Sequence, residues 1–193
     1  MSRLFFSLTL VFAFAMTLNA QEIRLNPPLF ALLINDAVIK ELKVTAEQQE
    51  QLKGVLGDFI QEVNGQKRIV IQGGTDIDSL EADSLKVLNE KQTKRLREAW
   101  LQVNGAMAIT DAKLAKDLSI TEEQTKKATE AIQKMNESMR DAFRAGGEQE
   151  EITAKVKQLR AETKKVIEGL LTAEQKTKLT TLQGAKIEGL IKP

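Results

Sequence analysis

The chain has 193 residues with 28 Lys and Arg, 27 Asp and Glu, and no Cys or His. Those absences exclude disulfides, Cys/His zinc sites, thiol nucleophiles and a Ser-His-Asp triad. A formal charge of +1 argues against nucleic acid as a partner, because binding it needs a surplus of positive charge.

Arg3 precedes an uncharged stretch from Leu4 to Leu18, followed by small Ala20 and charged Glu22. That order predicts a secretory signal peptide over residues 1–20, cleaved after Ala20. About fifteen apolar residues fall short of the roughly twenty a membrane-spanning helix needs, so no stable span is expected after cleavage. No Cys follows the run, so no lipid anchor is expected. The expected product is exported, periplasmic or extracellular. Removing 1–20 leaves 173 residues with Phe30, Phe59, Phe143 and Trp100 as the aromatics. A core of Leu, Ile, Val, Ala and Met suits thin helical packing better than a sandwich of sheets.

Asn26 before Pro27 and Pro28 reads as a helix start, with apolar residues at Leu29, Leu33, Val38 and Leu42 beyond it. Leu52, Val55, Leu56, Phe59 and Val63 then mark one helical face. The stretch Arg68 to Thr75 breaks the pattern with β-branched residues and Gly73-Gly74. A short strand fits it, but no second strand of matching character stands out, so an irregular connector is expected near 67–80. Asp76 to Asp83 forms an acidic entry to the next helix. Trp100 reads as a packing residue, Gly105 as a helix stop, and Thr110-Asp111 as the cap of a short helix through Leu114 and Leu118.

Ala128, Ile132, Met135, Met139 and Phe143 recur at three- and four-residue intervals, and Ile152, Val156, Leu159, Val166 and Leu170 follow after Gly146-Gly147. Two such stripes around a glycine pair predict an antiparallel helical hairpin with arms of roughly 33 Å. Met135 and Met139 share a face. Thioethers can bind Cu(I), but no third soft ligand recurs nearby, and packing is the expected role. Met135, Met139 and Phe143 are the candidate apolar contact surface. No metal or other cofactor is expected.

Four segments share one grammar: Val44-Thr45-Ala46-Glu47-Gln48, Leu88-Asn89-Glu90-Lys91-Gln92, Ile120-Thr121-Glu122-Glu123-Gln124 and Leu171-Thr172-Ala173-Glu174-Gln175. Each has the form of a capping box. The Thr or Asn accepts a hydrogen bond from a free N–H of the first turn, and the Gln three residues on reaches back to the cap's own N–H. Each cap is worth about 1 kcal/mol against Ala. Four copies indicate internal repetition. Thr45, Gln48, Asn89, Gln92, Thr121, Gln124, Thr172 and Gln175 are therefore expected to be structural caps. A weaker version at Leu179 to Gln183 lacks the charged fourth residue.

The literal Leu-Thr-x-x-Gln at Leu171 to Gln175, with a signal peptide and charged helices, resembles the Spy/CpxP-type LTxxQ-motif proteins of the bacterial periplasm. The resemblance covers residues 118–190 and, more loosely, 42–105. It implies a thin helical cradle, commonly a homodimer, and ATP-independent chaperoning or envelope-stress sensing with protein clients on a concave face. Two departures stand out: the mature chain is neutral, and it carries two additional motif copies. Without His, the metal-sensing role of some relatives is not expected.

The resulting expectation is an all-α protein of elongated helical hairpins or a bundle, with repeated capped helix starts after a cleaved signal peptide. Residues 21–105 form an N-terminal helical repeat region and 106–193 a C-terminal hairpin region. No catalytic residue stands out: the carboxylates lie mainly in helix first turns or beside lysines, Glu162 near Lys165 for example, and neither glycine pair has the spacing of a phosphate loop. The expected function is non-enzymatic protein binding, of unfolded clients or an envelope partner. The alternative is a structural scaffold that binds itself or one envelope protein.

Overall fold

In the computed structural model, residues 26–63, 66–71 and 74–190 are described; the expected signal peptide, residues 1–20, lies outside them. The chain is predominantly helical with one small antiparallel sheet, so the all-α expectation holds.

The first helical run divides. A 3-10 turn spans Leu29–Ile34. Asn35 then leaves helical geometry and caps α1, Asp36–Glu41, its side chain accepting from the Ala37 and Val38 N–H groups. The periodicity through Leu42 suggests a single element; an Asn that competes for backbone donors interrupts it. The second run also ends early. Helix α2 is Ala46–Leu56, and Phe59 and Val63 fall in a 3-10 turn and a strand.

The expected irregular connector is corrected here. Strand β1, Ile60–Val63, pairs antiparallel with β2, Gln66–Ile69, placing Ile60 opposite Ile69 and Glu62 opposite Lys67. The partner strand is concealed in the sequence because Phe59 and Val63 continue the helical spacing of Leu52 and Leu56. The dipeptide Asn64-Gly65 between the strands is a strong hairpin signal that outweighs that coincidence. Helix α3, Ile77–Lys86, starts at an Asp76 cap, inside the expected connector. Helix α4, Glu90–Asn104, follows Asn89.

Beyond α4 the order of elements recurs. A 3-10 turn spans Gly105–Thr110, and Asp111 caps α5, Ala112–Asp117. Then come α6, Glu122–Ala145, α7, Gln149–Leu170, and α8, Ala173–Leu182. The correspondence is residue by residue. Leu29, Asn35, Leu42 and Thr45 have counterparts 76 positions later in Gly105, Asp111, Leu118 and Thr121. Lys43 and Ser119, again 76 apart, are the two non-glycine residues with positive φ among those described, at 51° and 53°. From α3 onward the offset is 83: Leu80, Ser84, Leu88, Gln92 and Leu96 correspond to Thr163, Ile167, Leu171, Gln175 and Leu179, and all ten are buried.

The chain is thus two tandem copies of one unit, each a 3-10 turn, a short helix and a helical hairpin followed by a closing helix. The hairpins differ. In unit one, α2 and α3 are short and joined through the β-ribbon; in unit two, α6 and α7 run 24 and 22 residues, about 36 and 33 Å. One continuous core joins the copies, from Leu29 and Phe30 through Leu96, Trp100 and Ile109 to Ile132, Ile167 and Ile187.

Candidate functional site

All four motifs stand at helix starts. Thr45, Asn89, Thr121 and Thr172 are in extended conformation and accept from the N–H of Gln48, Gln92, Gln124 and Gln175, whose side chains accept from the cap N–H in return. The positive φ of Lys43 and Ser119 follows α1 and α5 and brings the chain round to the next cap, with Val44 and Ile120 N–H closing the turn on Ile39 and Ala115 carbonyls.

Capping employs one acceptor of each glutamine, and the remaining capacity joins the motifs in pairs. Gln48 Nε2 donates to Gln92 Oε1 and Gln92 Nε2 donates to Gln48 Oε1, both at 2.9 Å. Gln124 and Gln175 make the same reciprocal pair at 2.8 and 3.1 Å. Each amide donates its second hydrogen to the backbone before the opposite motif: Gln48 to the Val87 carbonyl, Gln92 to Leu42, Gln124 to Leu170 and Gln175 to Ser119. Both oxygen lone pairs and both amide hydrogens are thereby used, the full capacity of a glutamine side chain. Gln92 and Gln175 are buried, where such satisfaction is required.

The sequence pattern assigns these glutamines to capping alone. The signal for the pairing lies in residue type: a glutamate completes a capping box equally well, yet this Glu-rich chain places glutamine at all four positions. Only the amide can donate across to the other motif.

From its clasp the α6–α7 hairpin reaches outward. Ala128, Ile132 and Met135 on α6 and Thr163 and Ile167 on α7 are buried; Met135 lies just past the middle of α6 and the other four in the clasp-proximal halves. Met139 and Leu159 are half-buried against the core, and Ile152 and Val156 are half-buried further out. Phe143 and Val166 are exposed at 59% and 55%, the large exposed hydrophobics among the described residues. The methionine–phenylalanine stripe therefore divides: Met135 belongs to the core, Met139 to its margin and Phe143 to the surface. Of the expected surface pair, Glu162 instead accepts from Gln158 Nε2 at 2.8 Å.

The electrostatics stabilise charge. Hydrogen bonds from Lys113 and Lys127 hold the Asp117 and Glu123 carboxyls below their ordinary range, and Glu123 raises Lys127 in turn. At Arg95 burial works against the guanidinium, but hydrogen bonds to Glu98 and Glu41 outweigh it and the pKa is raised. These shifts run opposite to the raised carboxyl or lowered lysine of a general acid or base. Among the described residues no group of three or more Asp, Glu, His or Cys could hold a metal ion, and no helix is long and apolar enough to cross a membrane.

Comparison with known proteins found no matching family model, no matching curated protein and no matching solved structure.

Proposed function

We propose that the exported chain is a non-enzymatic protein-binding protein that holds partly unfolded polypeptides on the α6–α7 hairpin without ATP. The observation that carries this reading is the apolar surface left open on the outer hairpin, with Phe143 exposed near the turn and Met139, Ile152 and Val156 half-buried along the same outer stretch. A two-helix arm has no third layer to cover such a face, and an open apolar strip rimmed by charges suits transient contact with unfolded segments. Met139 adds an adaptable thioether to it. The motif resemblance supports the same reading. Export to the periplasm rests on the amino-terminal sequence pattern.

The test is light scattering of a chemically denatured model client diluted into equimolar mature protein without nucleotide. The protein is expected to reduce aggregation, and Phe143→Ser with Val156→Ser to reduce that protection at least threefold. Unchanged scattering with the wild-type protein would reject the reading. A sharp stoichiometric complex with one envelope protein, combined with indifference to unfolded clients, would establish the scaffold alternative in its place.

A further inference from the structure

Apart from their hairpins, the two units differ at the contact between the 3-10 turn and the closing helix. In unit one this space is filled. Leu29 and Phe30 are buried there, and Trp100 packs in with its indole N–H donating to the Pro27 carbonyl at 2.7 Å. Glu81 accepts from the Leu29 N–H at 2.8 Å, and the Arg97 guanidinium lies 5.6 Å from the Trp100 ring centre.

The internal register transfers each of these positions to unit two. Leu29 and Phe30 become Gly105 and Ala106, while Glu81, Arg97 and Trp100 become Lys164, Thr180 and Gln183. Every large apolar group is lost, and the acid becomes a base. In that place unit two has a cavity of about 590 Å³, which all five of those residues line, a volume within the range of small-molecule sites. Ala106, Leu171, Leu179 and Ile187 give it an apolar floor. Three lysines, Lys164, Lys176 and Lys186, line it against one acid, Glu168. Lys164 lies 3.7 Å from Glu168 and Lys186 2.9 Å from Glu188, whereas Lys176 makes no ion pair among the described residues. A positive, half-apolar recess in a chain with a formal charge of +1 selects a ligand with an apolar body and an anionic head.

We propose that this cavity binds a medium-chain carboxylate. Its hydrocarbon tail takes the place that Phe30 and Trp100 fill in unit one, and its head meets Lys176 between the other two lysines. Tail burial supplies the affinity, and the lysine charge supplies the preference for an acid over a neutral chain of equal length.

Isothermal titration of the whole chain with decanoate, below its micelle concentration, tests this. Saturable one-to-one binding is expected, at least fivefold weaker for Lys176→Gln and for Gln183→Trp, which restores the residue unit one uses. Lys157→Gln, on the α7 surface outside the cavity, should bind as the wild type does. A neutral decyl glucoside should bind at least fivefold more weakly than decanoate. Lys176→Gln changes an exposed side chain, so it reports on the site even if the tryptophan variant folds poorly. Absence of saturable binding, an equal loss with Lys157→Gln, undiminished binding by Lys176→Gln, or equal affinity for the glucoside would each overturn the proposal. None of these outcomes depends on the fate of a protein client at the hairpin.

Discussion

A carboxylate could complete each capping box, but it could not donate the two hydrogen bonds that every clasp glutamine sends across to the opposite motif. Replacing Gln92 by Glu should therefore leave the cap intact and turn the clasp against itself. The ionised carboxylate introduced there would face Gln48 Oε1, left with the Thr45 N–H alone as donor, and the Leu42 carbonyl, which loses the Gln92 amide. Thermal melts should show Gln92→Glu destabilised at pH 7 and partly recovered near pH 4, where protonation restores one donor. Insensitivity to that pH change would contradict the assigned geometry. Truncation tests the other clasp. Gln175→Ala removes the cap bond, both bonds of the amide pair and the bond to Ser119, a loss of about 2–6 kcal/mol at 0.5–1.5 kcal/mol per net bond. A double-mutant cycle with Gln124→Ala should give a coupling of about 1 kcal/mol or more; additive losses would show that the two amides act independently.

Among the elements, the hairpin turn carries the sharpest backbone requirement. Gly146 has φ 69° and ψ −170°, a region essentially reserved for glycine. Gly146→Ala should cost about 1–3 kcal/mol by urea denaturation, while Gly169→Ala, in open space on α7, should be neutral or slightly stabilising. Equal effects at the two sites would argue that the turn is not held as described. The hairpin, the four caps and the helical class were legible in the sequence because each is set by side chains within a few residues of one another. Phe59 and Val63 misled because helical spacing and strand alternation can be satisfied by the same short run, and only the pairing of Ile60 with Ile69 and Glu62 with Lys67 decides. The clasp joins residues 44 and 51 positions apart, so no local pattern contains it. The duplication was visible as four motifs, yet their assignment to two pairs depends on which helices pack together.

At the scale of the whole molecule, the units are fused with no linker, since α4 runs directly into the 3-10 turn at Gly105. The segment after α8 then returns to α4. Gln102 donates to the Gln183 and Ala185 carbonyls and accepts from the Ile187 N–H, and Arg95 bonds Glu41, Glu98 and the Ala185 carbonyl. A Cβ on Gly184 would collide with the Glu98 carboxylate, and its φ of 63° is strained for any other residue. Gly184→Val should lower the melting temperature by several degrees and broaden the transition as the units separate; a cooperative melt at the wild-type temperature would contradict that coupling. The clasps are uncharged and the chain has no His, Cys or Tyr, so stability should be nearly flat from pH 5.5 to 9. The depressed Asp117 and Glu123 carboxyls contribute above the ordinary carboxyl pKa, and their small exposed contribution is lost only as the pH falls through their folded values. Melts at pH 5.5, 7 and 9 that differ by more than a few degrees would reveal a titrating group unaccounted for by these residues.

The most direct measurement is hydrogen–deuterium exchange of the protein with and without an equimolar unfolded client. Amides of the outer hairpin, around residues 136–162, should gain protection when the client is present, while those of α2 and α4 stay unchanged. Protection confined to unit one, or none anywhere while the client remains soluble, would contradict the hairpin as the binding surface.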